Sequence, residues 1–84
     1  MLEASVYITI KKTISDPQGL AIKHALNSLH YPEVEEVRVG KVIQLKLNTK
    51  SRKTTKERVE KMCRKLLANT IIEDYRFEIK KDIR

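Results

Sequence analysis

The residues that could do chemistry in this chain are few and scattered. Cys63 is the single cysteine, and a nucleophilic thiol needs a base beside it. No such neighbour is signalled, and Cys63 falls in an apolar stripe, where a cysteine behaves as a small buried hydrophobe. His24 and His30 stand six apart. A helical face repeats every three or four residues, so the two cannot chelate from one face. His24 reads as a structural or interface histidine and His30 as a solvated helix end. Glu35-Glu36 and Glu73-Asp74 are adjacent acidic pairs. Neighbours on a strand point to opposite faces, so neither pair is a ready acid–base couple. Gly19 and Gly40 are isolated, which excludes a glycine-rich phosphate loop. No catalytic, cofactor-binding or metal-ligating set emerges. Whatever the chain does must therefore lie in its surfaces and partners.

The elements that would position those surfaces follow from the periodicity. Leu2, Ala4, Val6, Ile8 and Ile10 alternate with polar residues and Tyr7, the pattern of a strand with one buried face. Asp16-Pro17 marks a helix start: the carboxylate can accept free amides of the first turn, and Pro loses no hydrogen bond there. Ile22, Ala25, Leu26 and Leu29 then form an amphipathic stripe, which Tyr31-Pro32 ends. Leu20 lies off that stripe, either under the linker of residues 11–15 or against a partner. Residues 34–47 read as one continuous strand, bent or bulged near Gly40, because Val37, Val39, Ile43, Leu45 and Leu47 then share a face. A hairpin turning at Gly40-Lys41 is the alternative and would give a ferredoxin-like order. Thr54 and Glu57 offer a capping box for a second helix, with Val59, Met62, Cys63, Leu66 and Leu67 as its buried stripe. Asn69 suits a left-handed residue at its end. Tyr75, Phe77 and Ile79 alternate in a last strand. The expectation is one α+β domain spanning residues 1–84. It is a two-layer β-α-β-α-β sandwich with an antiparallel sheet, a long bent second strand and two helices on one face.

Eighty-four residues bury only about 60–65% of their unfolded surface, so a partner would help such a domain. Free sheet edges make self-association a reasonable expectation. The net charge of +7 is local. Residues 46–65 hold nine of the 18 basic and two of the 11 acidic residues, and the rest of the chain balances. That stretch is a solvated face or a contact for an anionic partner. Only Tyr7, Tyr31, Tyr75 and Phe77 are aromatic, and no strand carries the signature of a single-strand RNA platform. The single cysteine, the absence of a roughly 20-residue apolar run and the lack of a signal-peptide pattern point to a cytoplasmic chain.

Particular residues then narrow the reading. Asp16-Pro17-Gln18-Gly19 opens the first helix, with His24-Ala25-Leu26 inside it. Val37-Arg38-Val39-Gly40-Lys41 occupies the strand bend. Leu66-Leu67-Ala68-Asn69-Thr70-Ile71-Ile72-Glu73-Asp74-Tyr75 runs into the last strand. In this order and spacing they resemble the PurS family, the small S subunit of phosphoribosylformylglycinamidine synthase in de novo purine biosynthesis. The resemblance implies a non-catalytic subunit that forms a dimer or a higher oligomer and bridges a glutaminase subunit and a synthetase subunit. It implies no cofactor on this chain, since ATP and magnesium are used by the large synthetase subunit. It also implies candidate interface residues: Asp16, Pro17, Gln18, Gly19, Arg38, Gly40, Lys41, Asn69, Thr70, Glu73, Asp74 and Tyr75. Of these, Arg38 is expected to project from the open sheet face toward a carboxylate. The excess charge of residues 46–65 is not explained by the resemblance and is assigned to variable surface or to an acidic partner subunit. A basic nucleic-acid-binding module is the alternative function.

Overall fold

The computed structural model describes residues 1–81. Its elements run β1 (Leu2–Ile10), α1 (Pro17–Ser28), β2 (Gly40–Leu47), α2 (Arg52–Met62) and β3 (Glu73–Lys81). The sheet order is β2-β1-β3, and both pairings are antiparallel. The most apolar strand therefore takes the centre, where both its edges are paired. Val6 stands opposite Ile43 on one side and Phe77 on the other, and Ala4 opposite Leu45 and Ile79. These register positions put the apolar residues of all three strands on one face. No hairpin forms at Gly40. The strand expected from residue 34 begins only at Gly40, and residues 34–39 approach it without sheet pairing.

Helix α2 covers that face. Val59 and Cys63 are fully buried against Ala4, Val6, Ile8 and Ala68, with Ile43, Leu45, Phe77 and Ile79 packed around them. The Tyr75 hydroxyl donates to Glu60 Oε1 at 2.6 Å and ties β3 to the helix. This hydrogen bond, then burial, raises the phenol's pKa above its ordinary value of 10.0. The helix starts earlier than its expected capping box. Ser51, not Thr54, is the N-cap, its Oγ accepting from the Thr54 amide at 3.3 Å. Thr55 is thereby turned inward, and its hydroxyl donates to the Ser51 carbonyl at 2.6 Å.

Past Met62 the helix widens into a π-turn over Cys63–Leu67, closed by the Ala68 amide on the Cys63 carbonyl at 2.9 Å. A π-turn inserts one residue into the helical repeat and rotates the residues after it. The expected five-residue stripe is consequently split. Val59 and Cys63 point inward, Leu67 is half-buried, and Leu66 is 83% exposed.

The other difference lies in α1. Its start is fixed as expected, but no residue of its stripe joins the core. Ile22, Ala25 and Leu29 are exposed and Leu26 is half-buried. Leu20 is exposed as well. The helix ends in a Schellman motif. The Tyr31 amide donates to the Leu26 carbonyl at 3.1 Å and the His30 amide to the Asn27 carbonyl at 3.2 Å. His30 takes the left-handed position at φ 76°, alone among the described non-glycine residues. Asn27 Nδ2 then donates to the Tyr31 and Val34 carbonyls at 3.0 and 3.3 Å, fixing the exit.

Two measurements check this core. Val59→Ala should lower unfolding free energy by about 2–3 kcal/mol in urea titration, from lost transfer energy plus a cavity. Burial first, then the Glu60 charge, raises the Cys63 thiol pKa above its ordinary 9.0. Its alkylation at neutral pH should therefore track unfolding, and rapid labelling of the native chain would contradict the packing described.

Candidate functional site

The motif segments, far apart in sequence, meet at one end of the sheet. That end holds the last residues of β1 and the first of β2 and β3. In the register, Thr9 lies opposite both Gly40 and Asp74, and Ile8 opposite Lys41 and Tyr75. Ile10 stands opposite Glu73. Lys11 continues the join, its amide donating to the Ile72 carbonyl at 2.9 Å.

Asp16 is the hinge of this region. It is 4% exposed and N-caps α1, with Oδ1 accepting from the Gly19 amide at 3.0 Å. Its second oxygen accepts from the Val39 amide at 2.7 Å. One carboxylate thus ties the helix start to the segment entering β2. These two amides, Val39's first and Gly19's second, hold its pKa below the ordinary 3.8, and the Arg38 charge adds to them. Gly19 is needed because the chains touch there. A Cβ on it would stand 2.1 Å from the Val37 carbonyl oxygen. Gly40 meets the same constraint against β1, its Cβ position lying 2.5 Å from the Ile8 carbonyl oxygen.

Arg38 departs from expectation. It does not reach across the open sheet face to a carboxylate. Its Nη2 donates to three carbonyls, those of Lys11 at 2.7 Å, Ile14 at 3.0 Å and Ile10 at 3.3 Å. The reason lies in the chain path: residues 10–14 curl past the end of β1 and turn these three carbonyls toward one point, that of Lys11 also accepting from the Ile14 amide at 2.9 Å. A guanidinium, with five fixed donors, can gather several at once. The adjacent Nε is buried without a partner.

The third segment is also held by a carboxylate. Asn69 does not adopt the left-handed conformation expected of it. Its amide donates to Glu73 Oε1 at 2.7 Å, and its own Oδ1 accepts from the Ile71 amide at 3.2 Å. The Asn69 carbonyl also accepts from the amides of Ile72 and Glu73, at 3.0 and 2.7 Å. The turn is fixed by side chain–backbone bonds instead of by a strained backbone.

Two shallow hollows flank this end of the sheet. On the core-face side, Gln18, Gly40, Lys41 and Glu73 line one with Ile8, Ile10 and Val39. On the open face, Asp74 lines the other with Tyr7, Thr9 and Arg76, and the neighbouring strand positions Lys41 and Tyr75 border it. Arg76 lies over the Tyr7 ring, 4.0 Å from its centre, a cation–π contact that covers the one aromatic on this face. Of the candidates, Gln18, Gly40, Lys41, Glu73, Asp74 and Tyr75 therefore converge. Asp16, Gly19 and Arg38 form the clamp beneath them. Pro17 and Thr70 are exposed at its rim.

None of these groups is set up as a nucleophile or base. The Asp16 carboxylate is occupied by two amides, and the Tyr75 hydroxyl donates its hydrogen bond to Glu60. Among the described residues, no group of three or more His, Cys, Asp or Glu side chains could hold a metal ion. No described helix is long and apolar enough to cross a membrane. Reading by residue type missed the Glu60–Tyr75 bond and the role of residues 10–14. A signal for the first was present: both residues lie on the buried side of their elements, where polar atoms need partners.

The clamp makes two expectations. The folded pKa of Asp16 is depressed, so its contribution to stability is present above the ordinary 3.8 and lost as pH falls through the lower folded value. Asp16→Asn should flatten this acid limb of the stability curve; an unchanged limb would assign it elsewhere. Gly19→Ala should destabilise by about 2 kcal/mol or more, read as a lower urea midpoint, because backbone must move to admit the methyl.

Comparison with known proteins places this geometry. The family model for PurS, phosphoribosylformylglycinamidine (FGAM) synthase, matches residues 3–81. The chain is 48% identical over 79 residues to the phosphoribosylformylglycinamidine synthase subunit PurS of Bacillus subtilis, covering 94% of this chain and 93% of that protein. The crystal structure of PurS from Methanocaldococcus jannaschii superposes with a TM-score of 0.88 at 40% identity, over 98% of this chain and 99% of that one. A chain of the PurLQS structure from Thermotoga maritima gives 0.83 at 26% identity, over 95% and 99%. With the sheet, the helix start and the turn all in place over nearly its full length, this chain belongs to the PurS family of FGAM synthase subunits.

Proposed function

We propose that this chain is the non-catalytic connecting subunit of its synthase: a dimer that docks a glutaminase subunit and an ATP-dependent synthetase subunit. In that role it helps couple ammonia release to amidine formation. One observation carries the reading. The polar residues gathered at the sheet end are spent on holding backbone, and they present a shaped surface instead of reacting groups. The likeness to a chain of the Thermotoga maritima PurLQS structure supports assembly with larger subunits. On this reading the chain binds no cofactor, and ATP and magnesium belong to the synthetase subunit. It works in the cytoplasm, where purine synthesis takes place.

The docking surface in this reading is the pair of hollows around Lys41, with Gln18 and Glu73 on one side and Asp74 and Arg76 on the other. Exposed groups of both signs suit a polar, separable interface.

Reconstitution tests it. The chain, a glutaminase subunit and a synthetase subunit are mixed, and glutamine-dependent and ammonia-dependent synthesis are measured. Omitting this chain should abolish the glutamine-dependent rate and leave the ammonia-dependent rate largely intact. The double variant Lys41→Glu, Asp74→Lys should weaken complex formation about tenfold or more with the circular dichroism spectrum unchanged. Full glutamine-dependent activity without the chain sinks the reading. Salt-sensitive capture of nucleic acid at low ionic strength would favour the alternative carried by the basic stretch, residues 46–65.

A further inference from the structure

One hollow is walled by charges of both signs that do not pair with each other. It lies between residues 12–15, the first turns of α1 and residues 35–38, and its volume is about 340 Å³. That is the small end of the range for ligand sites, roughly 300–1,000 Å³. Lys12 and Lys23 stand on its wall with Glu35 and Glu36. None of the four is in an ion pair; the ion pairs of the described residues are made by Glu60 and Glu78. Two further groups face the same space. Arg38 spends Nη2 on three carbonyls and buries Nε. Its accessible nitrogen is Nη1, which has no partner among the described residues. Leu20, which lies off the apolar stripe of α1, lines the hollow and is 50% exposed. The remaining charge on the wall, Asp16, is already held by two amides.

We propose that this hollow binds a free α-amino acid. The ligand's carboxylate accepts from Arg38 Nη1 and from the ammonium of Lys12 or Lys23. Its own ammonium donates to Glu35 or Glu36, and its side chain lies against Leu20. Only a molecule carrying both charges suits both halves of the wall. A simple anion would also face Glu35 and Glu36, and a simple cation would face Arg38 and the lysines. Arg38 is already fixed by its three carbonyls, so taking the carboxylate costs it little side-chain freedom. The bound molecule bridges the loop, the helix start and the strand entry that Asp16 ties together. The site does not depend on how the chain assembles with its partners.

NMR titration of the isotope-labelled full chain tests it. L-Valine should shift the amides of residues 12–15, 19–23 and 35–38 saturably, with a dissociation constant on the order of millimolar. Acetate and methylamine, which each carry one of the two charges, should bind at least about tenfold more weakly. Glu35→Gln with Glu36→Gln, and separately Lys12→Met with Lys23→Met, should each weaken L-valine binding about tenfold or more. Leu20→Ala should lower the affinity for L-valine to that for glycine. None of the five positions is buried, so the rest of the spectrum should be unchanged. The absence of saturable shifts at these amides overturns the proposal. So does acetate binding as tightly as L-valine, which would mark a plain anion site. Shifts that arise here only when a glutaminase or synthetase subunit is added would make the hollow a docking surface and overturn it as well.

Discussion

A single buried carboxylate holds the two halves of this molecule in register. Asp16 accepts one amide from the helix it begins and another from the segment that enters β2. Charged acceptors make stronger hydrogen bonds than neutral ones, and this one lies where water does not compete. Around it, each contact depends on the last. Val39 bonds to Asp16 only if residues 37–39 lie against the helix start. They can lie there only because position 19 has no side chain. Arg38, fixed between those bonded neighbours, then reaches back to the carbonyls beyond β1. Helix direction, strand entry and loop course are thus set together.

The clamp explains why α1 can stand off the sheet without being loose at its root. Packing normally orients a helix, since few helices of 12 residues are stable by propensity alone. Here the N-terminus is fixed by hydrogen bonds and the C-terminus by a Schellman turn, while the apolar face is left unused. The arrangement suits a helix whose packing partner is supplied from outside the chain. The sheet is built to match, with one fully paired central strand and a single covering helix.

Much of this was legible in the residues. Period-two alternation identified β1 and β3, and the Asp16-Pro17 start needed only local rules. What sequence could not supply was mostly long-range. Arg38 looked like a surface charge because the carbonyls it binds lie about two dozen residues earlier, at 10, 11 and 14. Asn69 looked like a left-handed cap because its type suits one, but Glu73 offered its amide a better partner. The second helix reads as one continuous stripe on a 3.6-residue period, and only the π-turn breaks it. The helix α1 stripe was read correctly as apolar. The structure leaves that face largely exposed: amphipathic periodicity marks an apolar face and never what covers it.

The central position of β1 has a consequence for how the chain is made. Both of its neighbours come later, β2 some 30 residues on and β3 some 60 on. As the chain leaves the ribosome, the strand richest in buried residues emerges before either of the strands it pairs with. It gains its first edge partner at β2, its covering helix at α2, and its second edge only when β3 has been translated. Such distant pairing slows folding, since the loops must close before the contacts form. For that interval Leu2–Ile10 is an unpaired, β-branched strand of the kind that sticks to its own kind. Glu3 near its start and Lys11 and Lys12 just past its end are charges of the kind that flank unavoidable hydrophobic strands and oppose their association.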